Sequence, residues 1–500
     1  MAVASSRQFT VLRSVQSFTS ILFNPLDPPC PRLPLPKRAI ILDLPDELLW
    51  SIFSRCMDPH ASPFSNENPL QPLMKVCVRW RAVILEAPQF WSHISFPGWR
   101  RHGKGITPAS LKEDEERVGV QVAKSGDVPV TIRLVPVPDY DSDRVVETIL
   151  GASTRVAEAE FLLNNDLFKR VSAHAGGFPV LQKLNVRLSE ALDAEYNAAA
   201  AEFFGSFTAL KSLSLASDPV GGIDWLPTLV PLSQMWARLR VCELTDCMVD
   251  DVLLILPHFS PGTRLSLILG KLRRVEDPKT LPIIDHTNIQ SLSFNRCGDH
   301  FVETILRNIT APSLQRLAIW WYSESAHLES AIALLRRSNA SLTHFATRLL
   351  CAKTVRRQGL DVETMLSLFE FLSCECVGPS LLDLDMTLVS RYTPPTLTLI
   401  DALSGNQQSW VAEASPNVTL PTLPSLRSLA LREYDEEDGE WERRLVDIAK
   451  KRSPVLKSIW LDDPTLNPSL NHRSLKVLRE KLSACEVELI CSYDGDMGSW

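Results

Sequence analysis

A phrase of nine residues returns along most of this chain, and it restricts the fold more than any other feature. It runs small or aromatic, polar, small, Leu, polar, polar, apolar, polar, apolar. It is written Phe178-Pro179-Val180-Leu181-Gln182-Lys183-Leu184-Asn185-Val186 and again Phe207-Thr208-Ala209-Leu210-Lys211-Ser212-Leu213-Ser214-Leu215. Further copies occupy Ala237–Leu244, Asn288–Phe294, Pro312–Ile319, Ala340–Thr347, Pro379–Met386, Pro424–Leu431 and Pro454–Leu461. The anchors Leu181, Leu210, Leu239, Ile289, Leu314, Leu342, Leu381, Leu426 and Leu456 are spaced 29, 29, 50, 25, 28, 39, 45 and 30 residues apart. A degenerate copy, Thr263-Arg264-Leu265-Ser266-Leu267, divides the interval of 50. The intervals of 39 and 45 carry insertions, including Pro394-Pro395 and Glu413–Pro421.

Apolar residues two apart read as a short strand with one buried face. Between the phrases lie helical patterns such as Phe301–Leu306, Ala331–Leu335 and Leu445–Ala449. The period and the Leu-x-x-Leu-x-Leu core resemble leucine-rich repeats. Such a repeat cannot bury its own face, so about three or more must stack into a solenoid. Few copies end in Asn, so uneven curvature is expected. The strand neighbours of the apolar pairs point to the opposite, concave face: Asn185, Arg187, Glu243, Asn295, Trp320, Arg348, Asp385, Arg432, Trp460 and Asp462. Trp320 and Trp460 stand out, because a large aromatic there has no core to fill, and aromatics and arginines anchor interfaces. The expected target-binding residues are therefore Trp320 with Arg348, or Trp460.

The N-terminal part reads differently. The proline-rich run Asn24–Pro36 cannot build a helix or a central strand. Order begins at Ile40-Ile41-Leu42-Asp43-Leu44-Pro45-Asp46-Glu47-Leu48-Leu49-Trp50-Ser51-Ile52-Phe53. Pro45 suits a first helical turn, and Leu48, Leu49, Ile52, Phe53 and Cys56 form one apolar stripe. A second helix is expected through Leu73, Val76, Cys77, Trp80, Val83, Ile84 and Leu85, stopped by Ala87-Pro88. Phe90–Phe96 then reads as a short strand or a final turn. The blocks Leu-Pro-Asp-Glu-Leu-Leu-x-x-Ile-Phe, Met-Lys-Val-Cys-x-Arg-Trp-Arg and Ala-Pro-x-Phe-Trp, in this order, resemble an F-box of the form abundant in mushroom-forming (basidiomycete) fungi. The Ala61–Pro72 insertion is longer than that family's usual turn.

The resemblance implies docking onto the Skp adaptor of a cullin-RING ubiquitin ligase. Leu44, Pro45, Leu48, Leu49, Ile52 and Phe53 would face the adaptor, with Val76, Cys77 and Trp80 closing the packed core beside them. A unit this small leaves apolar surface for a partner to cover. The expected fold class is α/β: a small all-helical F-box, then an irregular leucine-rich-repeat-like solenoid with a parallel strand-lined concave face. The expected divisions are a tail at 1–36, the F-box at 37–97, a linker and helix at 98–127, the solenoid at 128–492 and a C-terminal end at 493–500.

Composition removes other classes. The 500 residues carry 52 Lys and Arg against 59 Asp and Glu, a net charge of −7, which argues against a nucleic-acid clamp. The 11 cysteines follow no zinc or disulfide spacing and read as free thiols of a reducing compartment. No apolar run reaches the length of a membrane span. P-loop, zincin, nucleophile-elbow and dinucleotide motifs are missing. The acidic run Asp435–Glu442 lacks the spacing of a calcium loop. No catalytic residue, metal or cofactor is expected. The expected role is the target-recruiting subunit of an SCF-type ligase, linked through the Skp adaptor to cullin and a RING protein. The alternative is a ligase-independent F-box and repeat scaffold. Cytoplasm or nucleus is the expected compartment. Residues 1–26, with Arg7, Arg13 and no acid, bear a weaker likeness to a mitochondrial leader.

Overall fold

Each copy of the phrase folds as a short strand, and the pairings of these strands among the described residues run parallel. The computed structural model describes residues 44–56, 70–96, 107–135, 143–189, 196–217, 226–270, 283–285, 288–320, 325–350, 362–389, 395–404, 421–432, 440–461 and 472–491. The expected tail at 1–36, the end at 493–500, Asp462 and most of the Ala61–Pro72 insertion lie outside these residues. The chain divides into two units, residues 1–189 with 202–210, and residues 190–201 with 211–500.

Among the described residues the first unit begins with three helices, α1 (Asp46–Cys56), α2 (Leu70–Val76) and α3 (Val78–Glu86), then a 3-10 turn at Pro88–Trp91. The second helix of the sequence reading is thus two helices. Cys77 breaks them: its backbone is extended, and its Sγ accepts the Trp80 N–H as an N-cap. Phe90–Phe96 supplies both expected alternatives, the turn and then β1 (His93–Phe96). The segment read as a linker and helix holds α4 (Pro108–Lys124), whose Gln121 amide donates to the His93 carbonyl at 2.9 Å. β1 pairs with β2 (Val130–Leu134), β2 with β3 (Val156–Leu163) and β3 with β4 (Lys183–Leu188). The core of these strands is aromatic: Phe161 packs edge-on against Phe178, Phe178 against Phe207, and Phe203 against both Phe168 and Phe207.

The second unit contains β5 (Ser212–Ala216), β6 (Val241–Thr245), β7 (Thr263–Ile268), β8 (Ile284–Asp285), β9 (Ile289–Asn295), β10 (Ile309–Thr310), β11 (Arg316–Trp320), β12 (His344–Leu350), β13 (Asp383–Val389), β14 (Ser428–Arg432), β15 (Ser458–Leu461) and β16 (Glu488–Cys491). β8 and β10 pair with each other, while the other ten pair in chain order. The alternate residues expected in the core are buried, including Leu213, Leu215, Cys242, Leu244, Leu265, Leu267, Leu292, Phe294, Leu317 and Ile319. Helices at Asp299–Asn308, Ser325–Ser338 and Glu440–Arg452 occupy the expected helical stretches.

Three repeats share a device at the strand exit. Asp246, Leu269 and Arg296 follow β6, β7 and β9 with φ of 60°, 53° and 54°. This left-handed turn costs a side-chain-bearing residue energy. It is held because each N–H continues the ladder: Asp246 to the Ile268 carbonyl, Leu269 to Asn295 and Arg296 to Trp320. The next residues, Cys247, Gly270 and Cys297, are all buried. The Cys297 thiol donates to the Leu267 carbonyl and accepts the Gly270 N–H. A Cβ on Gly270 would lie 2.5 Å from the Phe301 ring, so glycine is required there. Burial pushes the Cys297 thiol up to about 11 and raises that of Cys247 well above the usual range, so both are poor nucleophiles, and Cys297 ties neighbouring repeats together.

Candidate functional site

The N-terminal helices present an apolar surface as a consequence of how α1 is wound. The Leu48 and Leu49 N–H groups both donate to the Pro45 carbonyl, at 3.1 Å. Asp46 and Glu47 occupy the first turn, where carboxylates favour the helix N-terminus. The four apolar residues that follow span too wide an arc to face one neighbour. Leu49 and Phe53 turn inward and are fully buried, while Leu48 is 51% and Ile52 39% exposed. The stripe expected to face a partner is therefore divided. Leu49 and Phe53 are core, with Phe53 edge-on to Trp80 at 5.0 Å and tilted against Phe90 at 6.5 Å. Phe53→Ala would cost about 3–5 kcal/mol, so substitution there reads folding rather than docking.

The helix break sets the rest of this surface. Trp80, Val83 and Ile84 of α3 are buried with Leu70, Phe90 and Trp91, and the Trp91 indole donates to the Ile84 carbonyl. Cys77 and Leu44 are half-buried. Val76, expected to close the core, is 56% exposed, and Val78 on the other side of the break is 80% exposed. Neither could face inward, because Cys77 takes an extended backbone between them. Arg79 fixes α3 to the start of α1, donating to the Leu44 carbonyl at 2.5 Å and to Asp46 at 2.6 Å. The exposed apolar residues of these helices are Leu48 and Ile52 with Pro45 before them, Val76, Leu85 and Val78; the last was not singled out from the sequence. The one cue was its place next to an extended, capping cysteine, which periodicity does not reveal.

The sheet face distributes the other expected residues. Trp460 is 41% exposed, opposite Ala430 and Ile490. Trp320 is half-buried, and β11 and β12 are in register up to Ile319 and Thr347, the residues before Trp320 and Arg348. Asn185, Glu243 and Asn295 are half-buried and Arg187 exposed, as polar surface residues. Arg348 and Arg432 belong to β12 and β14. Asp385 departs from expectation. It is fully buried and has a polar or charged partner of its own, and its register neighbours Ala346 and Ala430 are buried too. Strand alternation fixes the side a residue takes, not whether that side is open. His300 lies in the helix Asp299–Asn308 near Glu303.

Among the described residues no three His, Cys, Asp or Glu side chains are placed to hold a metal ion. No described helix is long and apolar enough to cross a membrane.

Residues 41–97 match the family model described as F-box-like. A chain of the crystal structure of the Rad7 and Elc1 complex in yeast is similar at 12% identity and a TM-score of 0.30, over 72% of this chain and 91% of that one. No curated protein matches the chain. The N-terminal part is thus a helical F-box-like segment, and it precedes a mixed α/β, solenoid-like region of parallel strands.

Proposed function

We propose that this protein is the target-recruiting subunit of an SCF-type ubiquitin ligase, of the mushroom-type F-box class, acting in the cytoplasm or nucleus. F-box domains bind Skp-type adaptors. The observation that carries the reading is the outward pair Leu48 and Ile52 inside an F-box-like match. An apolar helical face of this kind favours insertion into a groove of a partner. Pro45, Val76 and Val78 extend the docking surface, while Leu49, Phe53 and Trp80 support it from beneath. The adaptor would connect the chain to cullin and a RING protein, which carry out ubiquitin transfer, so this chain performs no catalytic step itself.

Affinity purification of the full chain tests the reading. Adaptor, cullin and RING protein should be recovered together; adaptor alone would leave the scaffold alternative, and no adaptor would sink both. The target is proposed to bind the strand-lined face near Trp320 and Arg348, or near Trp460. Trp320→Ala with Arg348→Ala should move the melting temperature by no more than a few degrees and lose the target while keeping the adaptor. Unfolding of that double variant would make both residues structural.

A further inference from the structure

The starts of the strands in the second unit carry a row of cations. Arg264, Ser291, Arg316 and His344 are register partners on β7, β9, β11 and β12. Lys211 and Arg240 immediately precede β5 and β6, whose first residues Ser212 and Val241 continue the same row. Lys211, Arg240 and Arg264 are exposed, and Arg316 and His344 half-buried. After the opposite ends of β6 and β9 the chain carries Asp246, Asp250, Asp251 and Asp299, with the exposed Arg296 as the cation among them. The polarity is therefore local, in a chain whose net charge is −7.

The row is satisfied at one end and open at the other. Asp383, next in register after His344, places a carboxylate 2.6 Å from the His344 Nε2, and Arg316 lies 3.4 Å from the same nitrogen. The Arg240 guanidinium donates to the Pro261 carbonyl. Glu243 is the row's near acid, and it accepts from the Ser214 hydroxyl. Among the described residues Lys211 and Arg264 have no ion pair. Ser291 separates Arg264 from Arg316, so their strands stand two spacings apart, about 9.6 Å. Acidic side chains three apart on an extended segment of polyproline II conformation share one face and stand about 9.3 Å apart.

We infer that this row binds an extended segment of a partner protein that carries anionic side chains at every third position. This assignment does not depend on the adaptor reading, since the docking helices belong to the other unit. Carboxylate and phosphate share the required chemistry.

The test uses the full chain and short labelled peptides with glutamate, glutamine or phosphoserine at every third position, read by fluorescence anisotropy. The glutamate or phosphoserine peptide should bind at least about tenfold more tightly than the glutamine one, and rising salt should weaken it. Whichever anionic peptide is preferred identifies the source of the charge. Lys211→Glu with Arg264→Glu should abolish the preference, while Lys476→Glu with Arg479→Glu, the same charge change on the exposed side of the helix His472–Ser483, should keep it. If the reversed pair melts early, Lys211→Gln with Arg264→Gln is read instead. Equal binding of glutamate, phosphoserine and glutamine peptides, equal loss in the two variants, or tighter binding of duplex DNA with the same variant dependence would each overturn the proposal.

Discussion

The double variant Leu48→Asp with Ile52→Asp should lose the adaptor almost completely, at least about a thousandfold in affinity. Each substitution would place a carboxylate in a dry interface without a partner, which costs several kcal/mol, and every 1.4 kcal/mol is about tenfold. The variant should still fold, because both side chains are already substantially solvated at 51% and 39%. Phe53 is the contrast: it is fully buried beside Trp80 and Phe90, so a charge there would unfold the helices and lose the adaptor for another reason. Leu254, 52% exposed in the other unit, is the matched surface control, and Leu254→Asp should leave adaptor recovery unchanged. Circular dichroism and a pull-down on the same preparations separate these cases. A folded Leu48/Ile52 variant that still recovers the adaptor would remove α1 from the docking surface.

The strands were legible because their signal is local and repeated. Leu213 and Leu215, or Leu429 and Leu431, need no knowledge of their neighbours to be read as a buried pair two apart. β3 was not legible, since Val156-Ala157-Glu158-Ala159-Glu160-Phe161 lacks the leading Leu-x-x-Leu, and pairing with β2 and β4 decides its conformation. The strand-exit device left a trace that could have been read. Cys247, Gly270 and Cys297 each stand three residues after Leu244, Leu267 and Phe294. Only the thiol bonds of Cys297 show why a small polarisable residue suits that place. The docking surface was half legible. Helical spacing gave the residues of the stripe, but which of Leu48, Leu49, Ile52 and Phe53 faces inward depends on where α3 packs, and that depends on the break at Cys77.

The cationic row and Asp385 show the same limit from the other side. Sequence alternation puts Asp385 and Glu243 on one face, yet one is fully buried and the other half-open. Register across strands, which is a property of packed repeats, lines up Arg264, Arg316 and His344 although they stand in three separate copies of the phrase. A single copy carries only one of these charges. Recognition in such a unit is thus written across the repeats, while stability is written along each one.

Arg452→Ala should cost about 1.5–3 kcal/mol, a large loss for a residue outside the apolar core. Its guanidinium donates to the Leu403 carbonyl twice, at 2.9 and 2.8 Å, to Leu423 at 2.6 Å and to Thr422 at 2.7 Å. Leu403 ends the helix Pro395–Leu403, so two of these bonds serve a helix terminus whose carbonyls have no partner within the helix. Burial works against this charge and lowers its pKa from the ordinary value, so the carbonyls must more than offset desolvation. Arg337 does the same for Leu306 and Ile309, and Arg155 for Val122 and Val128, which makes the contact a recurring joint between neighbouring segments. The arrangement needs a planar fork, not only a charge. Arg452→Lys should therefore be nearly as destabilising as Arg452→Ala, because an ammonium cannot span Leu403, Thr422 and Leu423 together. Urea unfolding followed by limited proteolysis would read this as early cleavage beyond Pro395, with adaptor binding retained because the docking helices belong to the other unit. A lysine variant as stable as the parent would show that the fork is dispensable and that the charge alone holds the joint.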